Sequence, residues 1–357
     1  MQVMTQDSAI KKSITWCREN LFSSPTNGLA TVILLFLLIK FITVVASWLF
    51  FNATFVGDNR DACNQGGACW VFIKTRIDQF IYGFYPNAER WRVNLVLAAF
   101  ASTIGFWFFT ANKSKRFLGF WTFLLFPILS WNVLRGSNFS LTSVETAKWG
   151  GVFLTLMVST VGIVCSLPLG IILALGRQSK MPAIKTISVL FIELWRGVPL
   201  ITVLFMSSVM LPLFFPEGVQ FDKLLRALIG VALFSSAYMA EVVRGGLQAI
   251  PKGQFEAAQA IGLSYWQSMR SVIMPQALKM VIPGIVNTFI GLFKDTTLVA
   301  IIGMFDLLGI IQAATTDPDW LGFTLEGYVF AAIFFWLCCY TMSKYSQFLE
   351  RKLHTGH

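Results

Sequence analysis

The chain has 357 residues, of which 55% are hydrophobic and 13% are charged, and its formal net charge is +10. Average soluble domains carry about 25% charged residues, so the composition excludes an ordinary soluble domain. The two histidines, His354 and His357, lie at the C-terminal end. Because both lie in this terminal segment, a histidine-based catalytic or metal centre inside a membrane is excluded. The sequence also lacks the glycine-rich phosphate loop that ends in Gly-Lys-Ser/Thr, so it does not predict ATP binding of that type.

The apolar residues are grouped into runs that reach or approach the roughly 20 residues a helix needs to cross a bilayer. We therefore predict an all-α, polytopic membrane protein with about eight transmembrane helices, of which the seventh is the least regular. In chain order the runs cover residues 30–51, 93–111, 117–134, 149–176, 186–215, 224–243, 276–310 and 327–348. Three spans form an N-terminal group and five form a second group, which begins near residue 140.

The distribution of lysine and arginine predicts the orientation of these spans. If the N-terminus is inside, the inside segments hold sixteen of these residues and the outside segments hold nine. This bias places both termini and the loop at residues 248–275 in the cytoplasm. The positive net charge is then mostly a topology signal, and it requires no nucleic-acid partner.

The N-terminal group includes a long outside loop at residues 52–92. Within it, residues 71–83 are amphipathic and aromatic, which is typical of a helix in the membrane interface. Cys63 and Cys69 lie in the same loop. They can form a disulfide, worth about 2 kcal/mol in the chain-entropy model, or remain two free thiols. A disulfide would suit an oxidising compartment such as a periplasm.

The fifth predicted span contains the segment Glu193-Leu-Trp-Arg196-Gly197-Val-Pro199. Glu193 and Arg196 are three residues apart, so they share a helix face and can pair. Gly197 and Pro199 then disturb the helix. Two interpretations remain open at this point, a purely structural ion pair and a role in gating.

The seventh predicted span carries Asn287, Thr288 and Asp295. Thr288 and Asp295 are seven residues apart and therefore lie on one helical face. Polar groups at membrane depth normally face a bundle interior or a water-filled path. Asp295 could hold the ammonium group of a substrate, or it could be neutralised by Lys294 or by another span.

The loop before this span is polar and short, although it lies between long apolar runs. Glu256 is followed by Ala257 and Ala258, whose small side chains allow another protein to approach the backbone. Gly262 tolerates backbone angles closed to other residues, so it can separate two short helices. The alternative interpretation is an ordinary helix-turn-helix on the membrane surface.

This loop resembles the EAA motif of the permease subunits of binding-protein-dependent ABC importers, specifically the polar-amino-acid family. That motif reads Glu-Ala-Ala, three residues, Gly, nine residues, Ile-x-Leu-Pro, and Val272 and Met274 replace its Ile and Leu here. Three further segments are similar to markers of the same family, and the resemblance covers about residues 145–350. They are Arg196-Gly197-Val-Pro199, Pro251-Lys252-Gly253 and Lys294-Asp295-Thr296-Thr297-Leu298.

The N-terminal part resembles the extended permease of the general L-amino-acid transporters of Gram-negative bacteria and cyanobacteria. The similar segments are Gly67-Ala-Cys69-Trp70, Gln79-Phe80-Ile-Tyr-Gly83-Phe-Tyr85-Pro86 and Glu89-Arg90-Trp91-Arg92. The resemblance implies a type I ABC importer core of five helices plus three N-terminal helices, in a bacterial inner membrane. The implied regions are an extension at 1–139, a permease core at 140–350 and a tail at 351–357.

The resemblance also implies roles for individual residues. The loop would be a coupling helix that docks on a separate ATPase, through Glu256, Ala257, Ala258, Gly262 and Leu263. The substrate path would include Asn287, Thr288, Asp295 and Thr296. Gating would involve Glu193, Arg196, Gly197 and Pro199.

Partners follow from the same resemblance. ATP and Mg²⁺ would bind to the partner ATPase, and this chain would bind no cofactor or metal and would not be an enzyme. A periplasmic amino-acid-binding protein would deliver the substrate. A second permease would complete the path, and the three accessory spans favour a related shorter chain as that partner.

Two other classes of function make different demands on the sequence. An ion-driven secondary transporter of small polar solutes predicts inverted repeats with matching broken helices, and the grouping of three and five spans shows no such symmetry. A membrane-embedded enzyme needs a catalytic set of histidines, cysteines or carboxylates, which the sequence does not supply.

Overall fold

The structure, a computed structural model, describes residues 12, 15–64, 66–109, 118–119, 121–136, 141–216 and 221–353. These residues are mainly helical, with isolated β-bridges but no β-strand among them. The prediction of an all-α fold is confirmed. The chain divides into two compact units, Met1–Thr75 and Arg76–His357.

The α-helices of the described residues are numbered here in chain order. They are α1 (Pro25–Ala46), α2 (Trp70–Tyr82), α3 (Arg90–Phe109), α4 (Phe126–Arg135), α5 (Gly151–Arg177), α6 (Pro182–Gly197), α7 (Leu200–Phe205), α8 (Lys223–Ala249), α9 (Lys252–Ala260), α10 (Tyr265–Ser268), α11 (Met274–Met280), α12 (Ile282–Asp295), α13 (Leu307–Thr315) and α14 (Thr324–Leu353).

Five helical segments in the described part are long and apolar enough to cross a membrane. They are Pro25–Phe51, Gly151–Arg177, Lys223–Ala249, Ile282–Ile302 and Thr324–Leu353. A polytopic membrane protein is therefore confirmed, and the predicted number of eight is approximate. The second and third predicted spans fall on α3 and α4, but residues 110–117 and 120 lie outside the described residues.

The fifth predicted span is broken rather than continuous. Its two halves, Pro182–Gly197 and Leu200–Phe214, meet at an angle of 102°. Val198 between them is extended, with φ −114° and ψ 135°. A proline disfavours helical angles at the residue before it, so Pro199 forces this break. The sequence predicted a disturbance here but not a turn of this size.

The seventh predicted span, residues 276–310, is also divided. The apolar helix itself covers α12 and a 3₁₀ continuation, Thr296–Ile302. Before it, α11 ends at Met280, and Pro283 lies in the first turn of α12. After it, α13 extends into the segment between the predicted runs 276–310 and 327–348. The crossing segment is therefore shorter than predicted.

Within the described residues, apolar clusters hold the unit Arg76–His357 together, and two of them bear on the functional regions. The larger cluster packs α3, α4 and the first half of α5 against α7 and α8, and includes Trp149, Phe153, Leu204 and Leu224. The smaller cluster joins the other ends of α5 and α8 to α11 and α12 through residues such as Met239, Val243 and Ala277. The polar loop that follows α8 lies directly against this second cluster.

The unit Met1–Thr75 contains α1 and a folded loop after it. Thr54 donates its backbone N–H to Ala68 at 2.8 Å and accepts one from Trp70 at 2.9 Å. The indole of Trp70 also donates to the carbonyl of Leu49 at 2.9 Å. Cys63 and Cys69 form a disulfide, with their Cα atoms 5.5 Å apart. The helix α2, which begins at Trp70, matches the predicted amphipathic segment.

The disulfide yields the first testable prediction. In a background where Cys17, Cys165, Cys338 and Cys339 are replaced by alanine, a membrane-impermeant maleimide should label intact cells only after treatment with a reductant. Cys69→Ser provides the matched control, because it frees the half-buried Cys63, which should then be labelled without reductant. Cys69 itself is 0% exposed and cannot serve as the reporter. Labelling of Cys63 in the untreated parent would show that the thiols are free.

Candidate functional site

The polar loop after α8 folds as two short helices separated by a tight turn. Pro251 precedes α9, and the helix ends in a left-handed residue, Gly262, with φ +78°. Gly262 donates its N–H to the carbonyl of Gln259 at 2.9 Å, and Leu263 donates to Ala258 at 3.1 Å. This pair of bonds is a Schellman motif, which satisfies the last carbonyls of a helix and favours glycine at the left-handed position. The turn predicted at Gly262 is present.

The helix α9 has an anchored face and a free face. Phe255 packs against the second apolar cluster, and Ala258 is buried. Gln276 of α11 donates to the side-chain oxygen of Gln254 at 3.1 Å. Glu256 and Ala257 are exposed on the other side, and Leu263 is half-buried. Of the five predicted coupling residues, Ala258 thus anchors the loop, whereas Glu256, Ala257 and Gly262 are open to a partner.

Three apolar side chains at the tip of this loop were missed in the sequence. Ile261, Tyr265 and Trp266 are 74%, 54% and 68% exposed. Ser264 begins α10 with a capping box to Gln267, which fixes the direction of the following helix. In the sequence, Tyr265 and Trp266 follow Ile261 by four and five residues across the glycine turn, and this spacing could have indicated the exposed apolar surface. Large exposed apolar side chains on a polar loop are typical of a protein-interaction surface.

The predicted substrate-path residues differ in their accessibility. Asn287 is exposed, and Thr288 and Asp295 are half-buried. The hydroxyl of Thr288 donates to the carbonyl of Gly284 at 2.9 Å. Asp295 makes no ion pair within 4.0 Å in the described part of the chain, including with Lys294. Its carboxylate is therefore not neutralised by a neighbouring span within the described residues.

Thr296 is placed differently from the other three. It is 1% exposed, and its hydroxyl donates to the carbonyl of Phe293 at 2.8 Å. A buried hydroxyl that already bonds its own helix has no free donor for a ligand. Of the four predicted substrate-path residues, Asn287, Thr288 and Asp295 are therefore accessible to a ligand, and Thr296 is not.

The predicted ion pair between Glu193 and Arg196 is wrong. Both residues are on α6, but each contacts a different helix. Glu193 pairs with Arg177 at the end of α5, at 2.9 Å, and Arg196 lies 3.7 Å from Glu241 of α8. Helix packing brings these partners closer than the neighbouring turn of α6, and spacing along one helix could not show this.

Glu241 is the centre of this cluster, and it was missed. Arg244 donates to both of its carboxylate oxygens, with the shortest distance 2.7 Å, and Arg177 donates to it at 2.9 Å. The Glu241 side chain is only 15% exposed. The sequence signal was an acidic residue three positions before an arginine at the end of an apolar span, just before the polar loop.

No metal centre is present in the described residues, where no group of three His, Cys, Asp or Glu side chains could hold an ion. The two histidines, His354 and His357, lie outside those residues.

Comparisons with known proteins agree with this geometry. Residues 166–355 match the family model described as "Binding-protein-dependent transport system inner membrane component". The chain is 54% identical to the inner membrane amino-acid ABC transporter permease protein YhdY of Escherichia coli (strain K12), over 97% of this chain and 94% of that protein. It is 40% identical to the glutamate/glutamine/aspartate/asparagine transport system permease protein BztC of Rhodobacter capsulatus, with the same coverage.

A solved structure is also similar. It is described as an amino acid ABC transporter with histidines, is 32% identical and has a TM-score of 0.50. The match covers 57% of this chain but 92% of that one, so the shared part is the core. The chain belongs to the family of inner membrane components of binding-protein-dependent transport systems.

Proposed function

We propose that the chain is the permease subunit of an ATP-driven importer of amino acids. One observation carries this proposal: a polar loop with an EAA-type sequence is anchored on one face, and it presents carboxylate, small and aromatic groups on the other. Because the sequence lacks a phosphate loop, ATP must be hydrolysed by another subunit, and the permease needs a surface on which that subunit can dock. The amino-acid substrate class is supported by the names of the two relatives that align with almost the whole chain.

The docking surface consists of Glu256, Ala257 and Gly262, with Leu263 at its edge and Ala258 beneath it. Ile261 and Trp266 extend the surface with apolar area. Small residues let the partner approach the backbone, and the aromatic side chain supplies contact area of the kind found at the centre of interfaces. ATP and Mg²⁺ bind to the ATPase subunit, and this chain carries no cofactor of its own.

The substrate path follows the face of α12 that carries Thr288 and Asp295, with Asn287 beside it. An unpaired carboxylate suits the ammonium group that every amino acid carries. The break at Gly197 and Pro199 is the gating element, because the chain direction changes there by 102°. Broken helices commonly line the sites of membrane transporters, where their backbone groups are free to bind.

The remaining partners complete the importer. A periplasmic amino-acid-binding protein delivers the substrate, and a second, shorter permease forms the other half of the path. A shorter partner is favoured because the solved relative consists almost entirely of the core. The chain is multi-pass in the inner membrane with both termini in the cytoplasm, as the distribution of lysine and arginine indicates.

Reconstitution tests this function against the ion-driven alternative. Proteoliposomes that hold the chain with its ATPase, second permease and loaded binding protein should accumulate amino acids when ATP is supplied on the ATPase side. The chain alone, under a proton or sodium gradient, should not transport. Gradient-driven uptake by the chain alone would overturn the proposal.

A substitution at the loop turn tests the docking surface. Gly262→Asp should reduce recovery of the ATPase with the purified permease, because it adds bulk and charge in a left-handed turn that has open space around it. Gly322→Asp is the matched control, since Gly322 also has a positive φ and open surroundings but precedes α14 at its outside end. Normal ATPase recovery with Gly262→Asp would place the dock elsewhere.

A substitution in α12 tests the substrate path. Asp295→Asn should lower amino-acid uptake more than it lowers the amount of protein in the membrane, because the path loses the carboxylate proposed to bind the substrate ammonium group. Thr296→Val, at the neighbouring buried position, should leave the substrate profile unchanged. An equal loss of uptake and abundance in Asp295→Asn would assign this residue a structural role.

A further inference from the structure

The cluster around Glu241 connects the two mechanical parts of the proposed permease. Glu241 lies eight residues before the end of α8, a distance of about 12 Å along the helix, and α8 leads directly into the docking loop. Arg196 is the penultimate residue of α6, two residues before Val198, at which the helix breaks. The carboxylate of Glu241 therefore connects α8, which leads into the docking loop, with α6, which ends at the break.

The contacts of Glu241 are not equal. Arg244, on its own helix, and Arg177 of α5 hold both oxygens at 2.7–3.1 Å. Arg196 is more distant, at 3.7 Å, and its side chain is 37% exposed. The guanidinium of Arg196 also lies 5.6 Å from the ring centroid of Tyr238, within the range of a cation–π contact. If Arg196 moves away from Glu241, the carboxylate keeps its bonds to Arg177 and Arg244, and Arg196 keeps its contact with Tyr238.

The charge balance explains why the carboxylate is central. The cluster contains three guanidinium groups, from Arg177, Arg196 and Arg244, and two carboxylates. Among the described residues, Glu193 is 54% exposed and forms an ion pair within 4.0 Å with Arg177, whereas Glu241 forms ion pairs with all three arginines. Loss of Glu193 leaves every arginine with a partner, but loss of Glu241 leaves like charges facing each other across three helices.

We propose that Glu241 is the coupling hub of this permease, and that Arg196 is its releasable contact. When the ATPase moves the docking loop, α8 carries Glu241 with it, Arg177 and Arg244 stay bound, and the Arg196 contact opens or closes. That change lets the hinge at Val198-Pro199 follow the docking loop. Glu241 and Arg196 are positioning residues here, since neither is argued to touch the substrate.

The test compares Glu241→Gln and Arg196→Gln with Glu193→Gln in the reconstituted importer, and it rests on the ATPase docking proposed above. We expect the first two variants to reduce amino-acid uptake per ATP hydrolysed by about tenfold, a value within the usual range of coupling between sites. ATP hydrolysis should continue without stimulation by loaded binding protein. Glu193→Gln should remain within about twofold of the wild type, as expected for an exposed ion pair.

A second measurement keeps the proposal testable if Glu241→Gln is poorly inserted. Spin labels on the exposed positions Leu194 and Ala249 report the distance between α6 and the end of α8. This distance should change on ATP binding in the wild-type complex, and the change should be lost in Arg196→Gln. A merely structural role would lower abundance without altering either the uptake per ATP or this distance change.

These measurements distinguish failure of the proposed function from failure of the coupling role of Glu241 and Arg196. If the wild-type complex shows no ATP-driven uptake, the proposed function fails and the hub fails with it. If the wild type is coupled and Arg196→Gln keeps the same uptake per ATP, the hub alone is overturned. The hub is also overturned if Glu193→Gln loses coupling as strongly as Arg196→Gln.

Discussion

The close approach of α5 and α8 is the contact on which the functional regions depend. A Cβ atom at Gly170 would lie 2.7 Å from the Cβ of Met239, and one at Gly162 would lie 3.0 Å from a side-chain carbon of Val231, and both neighbours are on α8. Inside a membrane the hydrophobic effect does not drive helices together, so small residues that allow tight packing are an important source of association. This packing brings the end of α5 to Glu241, and Arg177 can then bind a carboxylate on another helix.

The same packing gives the docking loop a firm base. The smaller apolar cluster joins α5, α8, α11 and α12 immediately beneath α9, and Phe255 belongs to its boundary. Because packed interiors transmit strain, a displacement of α9 would be passed on to α8 through this cluster. The two faces of α9 therefore differ: one is anchored on the apolar cluster, and the other is open to solvent.

Some of this architecture follows from sequence, and some does not. Hydropathy locates the spans approximately, and Gly262 marks its turn, because these features depend on neighbours along the chain. The partners of Glu193 and Arg196 depend on which helices pack together, so the spacing of three residues predicted the wrong pair. Thr296 follows Asp295 directly, but its burial depends on the start of a 3₁₀ turn that no single-helix pattern shows.

The accessory helices α3 and α4 are joined to the core by a buried polar contact centred on Arg92. Arg92, only 1% exposed, donates to the carbonyl and hydroxyl of Thr142 at 2.8 and 2.9 Å and pairs with Glu89 at 2.6 Å. The Thr142 hydroxyl donates to Glu89 and, with Arg92, holds the pKa of that carboxyl below its usual range.

Tyr85 adds a bond to the carbonyl of Leu134 at 2.8 Å, next to this cluster. A buried arginine whose charge is balanced locally offers little to a passing substrate, in contrast to the unpaired carboxylate of Asp295. The solved relative matches 57% of this chain with 92% of its own length, so a core can exist without such an attachment. The accessory helices are therefore attached near the start of the core, whereas the Glu241 cluster lies at the opposite ends of α5 and α8.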